Sequence, residues 1–297
     1  MSLTEQQSPC ASSDECVIDV MIAGICRTDL LVARGALNAR EPITLGHEFS
    51  GLVSSCPSDR TLIGSRVAVR PQIECQQCTG CRETGLCLSP HMLGIVRDGC
   101  FAEKVVVPTR HVLRIPDSMT FRTAAYVEPV AAALAVIDVT GALLDRHQPG
   151  LIYGKNRIAE LTRRVLEAHG YEHVCVHDPS RETLPAHHFA WAIETVASTR
   201  ALSDIVEALR PRGVLVLKSR TAEPMALDLP RIIRKEISFH AVSYGSFERA
   251  IDLLAARQIE IDDLIGDDFS LDEYELAFAK AYASESSKVM LRIGKVD

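Results

Sequence analysis

The chain has 297 residues, enough for two domains with cores of their own. Apolar residues make up 47% of it and charged residues 24%, the balance of a soluble globular protein. A net charge of −7 argues against a nucleic-acid partner, and no apolar run reaches the roughly 18 residues of a membrane span.

The N-terminal stretch "MSLTEQQSPCASSDE" is polar and holds no signal-peptide core, so a cytoplasmic location is expected. Ten cysteines in such a chain read as metal ligands before disulfides. The run "CVIDVMIAGI" is apolar and β-branched and reads as a strand entering a turn, with Cys26 immediately after it. "LGHEFSGLV" then sets His47 and Glu48 between Gly46 and Gly51. Each has a plainer reading alone: a histidine satisfied inside a glycine-rich turn, a cysteine packed as a small hydrophobe. "CQQCTGCRETGLC" gives Cys75, Cys78, Cys81 and Cys87. Gaps of two residues let successive thiolates turn onto one point and a fourth closes a tetrahedron, the pattern of a structural zinc with no open position. Unpaired core cysteines or a nucleic-acid finger are the alternatives, the second disfavoured by the acidic charge. "AAYVEPVAAAL" places Glu128 before Pro129 at a helix start. Cysteine, histidine and carboxylate together compose an open zinc site with a position left for water or substrate.

From residue 150 the chain alternates strand, turn, helix and strand. "GLIYGKNRIAELTRRVLEAHG" carries Ile158, Leu161, Val165 and Leu166 at helical spacing, with His169 and Gly170 as the stop. A dinucleotide-binding turn has three glycines; here only Gly154 remains, with Asn156 and Ala159 at the other two positions. Asn156 is read as a residue that tolerates left-handed backbone angles, which keeps the turn possible. Lys155 and Arg157 add positive charge where a helix N-terminus already attracts anions, or are simply solvated. "HVCVHD" is a second strand ending at Asp178, 24 residues after Gly154. That is near the ~20 separating the turn from the acid that holds the ribose hydroxyls of NAD; a solvated aspartate before a proline turn is the alternative. "FAWAIETVAS" follows almost directly, then "ALSDIVEALRPRGVLVLKS" as helix, turn and strand. "SFERAIDLLAARQIEIDDLI" and "LDEYELAFAKAYA" are amphipathic helices and "KVMLRI" is a last strand.

"GICRTDL", "LGHEFSG", the four-cysteine lobe and "EPVAAAL", in that order, resemble the zinc-containing medium-chain dehydrogenases of the alcohol and polyol type. The resemblance runs from about Cys16 onward, and "RPRGVLVLKS" and "KVMLRI" bring it nearest the compact zinc-dependent dehydrogenase-like branch. It implies an α/β protein: a GroES-like β-barrel catalytic domain over 1–125, completed by 263–297, and a Rossmann-type parallel-sheet domain over 126–262. The active site falls in the cleft between domains. Two zinc ions per chain follow. Cys26 and His47 are ligands of the catalytic one, Glu48 a ligand or immediate neighbour, and Glu128 a further carboxylate on the metal or its water. Thr28 matches the hydroxyl that passes the alcohol proton, and Asp29 orients a ligand. Leu30 and Leu31 stand where some relatives carry a histidine, so the proton needs another exit. Gly154, Asn156, Arg157, Ile158 and Asp178 line the cofactor, NAD rather than NADP, with Arg27 and Lys288 as cations for its pyrophosphate. A small alcohol or polyol is the substrate, and a homodimer or homotetramer the assembly.

The chain departs from the family in three ways. The glycine turn is eroded. The strands usual before "CVIDV" are replaced by polar sequence, which exposes an edge or reflects a misplaced gene start. A helix–strand unit is missing after Asp178, which shortens the sheet on its adenine side. Those departures leave open a second function, a zinc-binding relative that has lost efficient dinucleotide binding and catalysis and serves as a binding or regulatory protein.

Overall fold

The computed structural model describes residues 1–181, 183–221, 224–284 and 286–295. It divides into two compact units. The first comprises Met1–Glu128, Leu254–Ala256 and Asp262–Asp297, the second Pro129–Leu253 and Arg257–Ile261.

In the first unit, strand β1 (Glu15–Gly24) is buried along nearly its whole length, because it has neighbours along both edges. Helix α1 (Arg27–Ala33) follows it at once. Strands β2 (Glu48–Ser55), β3 (Arg66–Val69), β4 (Gln72–Ile73) and β5 (His91–Met92) come next, with the five-residue helix α2 (Thr79–Glu83) inside the cysteine lobe between β4 and β5. Strands β6 (Lys104–Pro108) and β7 (Val112–Arg114) and the short helix α3 (Phe121–Ala124) lead to α4 (Val127–Thr140), which starts one residue before Glu128. Alternate residues of β1, β2, β3 and β6 — Ile18, Val20, Val53, Val67, Val105 and Val107 among them — fill one core.

The second unit is a parallel sheet. Its strands are β8 (Gly150–Tyr153), β9 (Val174–His177), β10 (Phe189–Glu194), β11 (Leu209–Leu217) and β12 (Ser238–Ala241). Helices α5 (Arg157–Ala168), α6 (Thr199–Ala208), α7 (Leu229–Lys235) and α8 (Phe247–Ala255) connect or follow them. The order is β12-β11-β10-β8-β9 and every pair is parallel. The chain therefore reverses direction across the sheet between β8 and β10, the switch point of a doubly wound fold. Between β9 and β10 no helix or strand is present among the described residues, and β9 is the edge. The sheet is thus short on that side, as the sequence implied. Helix α5 forms as its pattern dictates: Leu161, Val165 and Leu166 are buried, while Arg163 on the other face bonds Glu160 and Glu167. Trp191 lies over Gly150, where a Cβ would stand 1.9 Å from the indole.

β11 begins directly after Ala208, and the turn expected between α6 and the strand lies within its span: Phe189 pairs with Leu209 but Trp191 with Val214, and the intervening residues break the ladder around Arg212, in the left-handed region at φ 63°. No glycine ends α6. The buried ammonium of Lys235 instead donates to the carbonyls of Val206, Glu207 and Leu209 at 2.7–2.8 Å, a cation closing a helix C-terminus.

The tail returns to the first unit. Strand β13 (Ile265–Ser270), helix α9 (Tyr274–Ala283) and strand β14 (Lys288–Arg292) complete a seven-stranded sheet, ordered β13-β14-β1-β2-β3-β7 with β6 also on β1. Ala277 and Phe278 of α9 pack with Val289, Leu291, Ile25 and Leu45 in a second core beneath the turn that carries Cys26.

Candidate metal centres and nucleotide site

Cys26 stands at the N-cap of α1, where β1 ends, and His47 and Glu48 stand at the start of β2. β1 and β2 are antiparallel, with Gly24 opposite Glu48. This register brings residues about twenty apart in sequence to one end of the pair. One donor atom each from Cys26, His47 and Glu48 lie within 4.8 Å of one another. Sulfur, imidazole and carboxylate at that spacing fit a zinc ion with room for one more ligand.

Asp29 is the frame behind the cluster and is 1% exposed. One oxygen accepts from the Cys26 N–H at 2.8 Å, the other from the Gly46 N–H at 3.1 Å. Its carboxylate lies 3.3 Å from Nδ1 of His47, in charge contact but outside hydrogen-bond geometry. Burial alone would depress the imidazole, but the charges of Asp29 and Cys26 prevail and hold its pKa well above the ordinary value.

Lys288 differs from expectation. Its ammonium is not presented to a ligand; it is ion-paired to Glu48, with both residues only 2% exposed. β14 lies beside β1, and Gly24 leaves the space: a Cβ there would be 2.8 Å from Glu48 Oε2 and 3.2 Å from the Lys288 stem. Glu128, in the first turn of α4, is buried but lies outside the three-residue cluster. Arg27 is exposed and Thr28 half-buried on the first turn of α1.

The four-cysteine lobe closes as its spacing implies. Its sulfurs lie within 4.8 Å of one another, Cys75 being 3.9 Å from Cys81 and 3.6 Å from Cys87. Four sulfurs about 2.3 Å from a central zinc stand about 3.8 Å apart, so the arrangement fits that ion. Backbone N–H groups point at the sulfurs. Those of Leu88 and Cys81 draw the Cys78 thiol down to about 6, and those of Gln77 and Cys78 lower Cys75. Desolvation and the neighbouring thiols push Cys81 up to about 12. Thiolate is thus easier to form at two corners of the lobe than in an ordinary cysteine, and the proton on a third is one a cation would displace.

In the second unit, Gly154 has φ +126°, and a Cβ there would meet Thr195 Oγ1 at 2.4 Å and Val196 at 2.6 Å, so only glycine fits. Asn156 corrects the sequence reading. Its φ is −133°, extended rather than left-handed, because it is the N-cap of α5. Its Oδ1 accepts from the Ala159 N–H at 2.9 Å and its Nδ2 donates to Thr195 O at 3.1 Å. The side chain thus occupies an amide that an all-glycine turn would leave to a phosphate. Arg157 and Ile158 are half-buried in the first turn of α5. A cavity of about 290 Å³ opens here, lined by Lys155, Asn156, Glu160, Arg163, Val176 and Asp178. Ser180, through its hydroxyl and N–H, holds the Asp178 carboxyl below its usual range, and Lys155 Nζ lies 3.5 Å away.

Sequence reasoning missed the Glu48–Lys288 pair and Glu194, a 1% exposed carboxylate at the end of β10. The signal for Glu194 was present: an acid closing the otherwise apolar strand "FAWAIE".

The profile of the alcohol dehydrogenase GroES-like domain matches residues 12–117. Sorbitol dehydrogenase of Bacillus subtilis (strain 168) is 26% identical over 95% of this chain and 91% of its own length. L-threonine 3-dehydrogenase of Legionella pneumophila (strain Corby) is 25% identical over 94% and 92%. Among solved structures, a candidate zinc-binding dehydrogenase of Sinorhizobium meliloti 1021, bound to NADP, superposes with a TM-score of 0.87 at 26% identity, covering 96% of this chain and 93% of its own.

Proposed function

Since the chain belongs to the medium-chain dehydrogenase/reductase family of alcohol and polyol dehydrogenases and is an alcohol dehydrogenase-like oxidoreductase, we propose that it moves hydride between a small alcohol or polyol, or its carbonyl, and NAD. The observation that carries this is the convergence of Cys26, His47 and Glu48 within 4.8 Å, with Asp29 fixed behind them. Bound zinc would supply Lewis acidity toward a substrate oxygen, and the nicotinamide would exchange hydride.

The remaining work belongs to the chain. Cys26, His47 and Glu48 hold the ion, and Lys288 balances the charge of Glu48. Asp29 sets the Cys26 backbone and the His47 ring. Thr28 passes the substrate proton, and Glu128 holds water at the site. Cys75, Cys78, Cys81 and Cys87 hold a second, structural zinc. Gly154, Asn156, Arg157, Ile158 and Arg27 receive the pyrophosphate end of the dinucleotide, and Asp178 the adenosine ribose. The acid at Asp178 supports NAD over NADP, since its charge opposes an added phosphate. The dimer or tetramer rests on the resemblance alone and is read by sedimentation.

Titrating NAD and NADP while following thermal unfolding tests the proposal. Ligand at 100 times its Kd should stabilise by about 2.7 kcal/mol. No shift with either at millimolar concentration defeats the dehydrogenase reading. It would favour instead a zinc protein without dinucleotide function, for which the side chain of Asn156 in the turn is the supporting observation. Metal analysis should find two zinc ions per chain, and one in Cys26→Ala.

A further inference from the structure

Resting on the dinucleotide reading, the geometry points to Glu194 as a positioning residue for the nicotinamide-ribose half of the cofactor, its second carboxylate oxygen accepting a hydrogen bond from that half. Glu194 is the last residue of β10, in register with Tyr153 of β8 and Leu217 of β11. Oε2 accepts from the Ser219 N–H at 3.2 Å, in the segment that leaves β11. Oε1 is buried and has no hydrogen-bond partner among the described residues. A buried carboxylate oxygen without a donor is costly, and such groups are otherwise satisfied in folded proteins.

The place of this oxygen identifies its donor. It lies at the C-terminal edge of a parallel sheet, on the strand beside the switch point between β8 and β10, where ligands of this architecture bind. Asp178 marks the adenosine end, at β9, and Gly154 the pyrophosphate turn, at β8. A dinucleotide that continues in the same direction reaches β10 after one further strand spacing of about 4.8 Å. There the nicotinamide ribose carries hydroxyl donors and the carboxamide an amide donor. The backbone around Glu194 is fixed: the Thr195 hydroxyl donates to Tyr153 O at 2.9 Å, and Asn156 Nδ2 donates to Thr195 O at 3.1 Å. The carboxylate is therefore held in place before the ligand arrives.

Binding of NADH and of ADP, which lacks the nicotinamide-ribose half, to wild type and Glu194→Gln decides the matter. Glutamine keeps the volume and one acceptor for Ser219 but turns an amide toward the ligand. NADH affinity should fall about tenfold while ADP affinity stays within about twofold of wild type. ADP binding at wild-type strength also certifies the fold of the variant. Equal weakening of both ligands would make Glu194 only a structural anchor for the β11 loop and overturn the proposal, as would unchanged NADH affinity. Wild-type protein that binds neither ligand would instead refute the dinucleotide reading itself.

Discussion

Lys288→Met tests whether Glu48 belongs to the metal site. Lysine and glutamate are each 2% exposed, so the surface figure for an ion pair does not apply. Removing one partner of a buried pair strands the other, at a cost of about 3–5 kcal/mol. Methionine nearly preserves the volume beside Gly24, so little cavity cost is added. A cation bound at Cys26, His47 and Glu48 would neutralise the stranded carboxylate in place of the ammonium. The loss should therefore depend on metal. In chelator-treated protein the urea transition of the first unit should fall by the full 3–5 kcal/mol; in zinc-loaded protein it should fall by about half of that or less. Chelation also empties the cysteine lobe, but it does so in wild type and variant alike, and the effect cancels in the difference. Glu48→Gln combined with Lys288→Met should recover most of the loss, because no charge then remains unpaired. Equal destabilisation with and without zinc would refute the reasoning and place Glu48 outside the influence of the ion.

Zinc binding at the same site should release protons. The pKa of His47 is held up in the metal-free protein, so its imidazole carries a proton at pH values where an ordinary histidine has lost it. Affinity therefore rises with pH until the raised pKa is passed, and calorimetry in buffers of different ionisation enthalpy should show less proton release for Asp29→Asn. In the lobe, the depressed pKa of Cys78 keeps protons from competing for its sulfur down to about 6, so zinc affinity should fall more steeply with pH below that region, followed by metal analysis after stepwise acidification. Lys235→Met removes three carbonyl contacts at the end of α6 and should cost the second unit about 2–3 kcal/mol in urea unfolding. Asn156→Gly should cost only a few tenths of a kcal/mol in helix capping and, by freeing the Ala159 N–H, tighten NADH binding in a fluorescence titration.

Features encoded by local spacing were the most legible. Four cysteines within thirteen residues, the Gly-His-Glu run and the strand–turn–helix at Gly154 each carry their meaning in a short window, and each appears where that window placed it. Features that depend on chain-distant contacts were not. Glu48 and Lys288 are 240 positions apart, and nothing near either names the other. Lys235 closes α6 from a different helix, so the missing C-terminal glycine gave no warning. Asn156 shows a subtler failure. Its tolerance of left-handed angles was the wrong property to weigh, since its capacity to cap a helix satisfied the same turn with an extended backbone.

The exposed flank of β9 has a consequence for how copies of the protein meet. A strand lacking a neighbour offers its amides and carbonyls to any extended peptide, and self-association begins at such borders. This one is protected by brevity: Val174–His177 supplies only four residues, and Pro179 forbids extension beyond Asp178. A border of four residues offers an incoming extended peptide too few ladder bonds to recruit it along this edge.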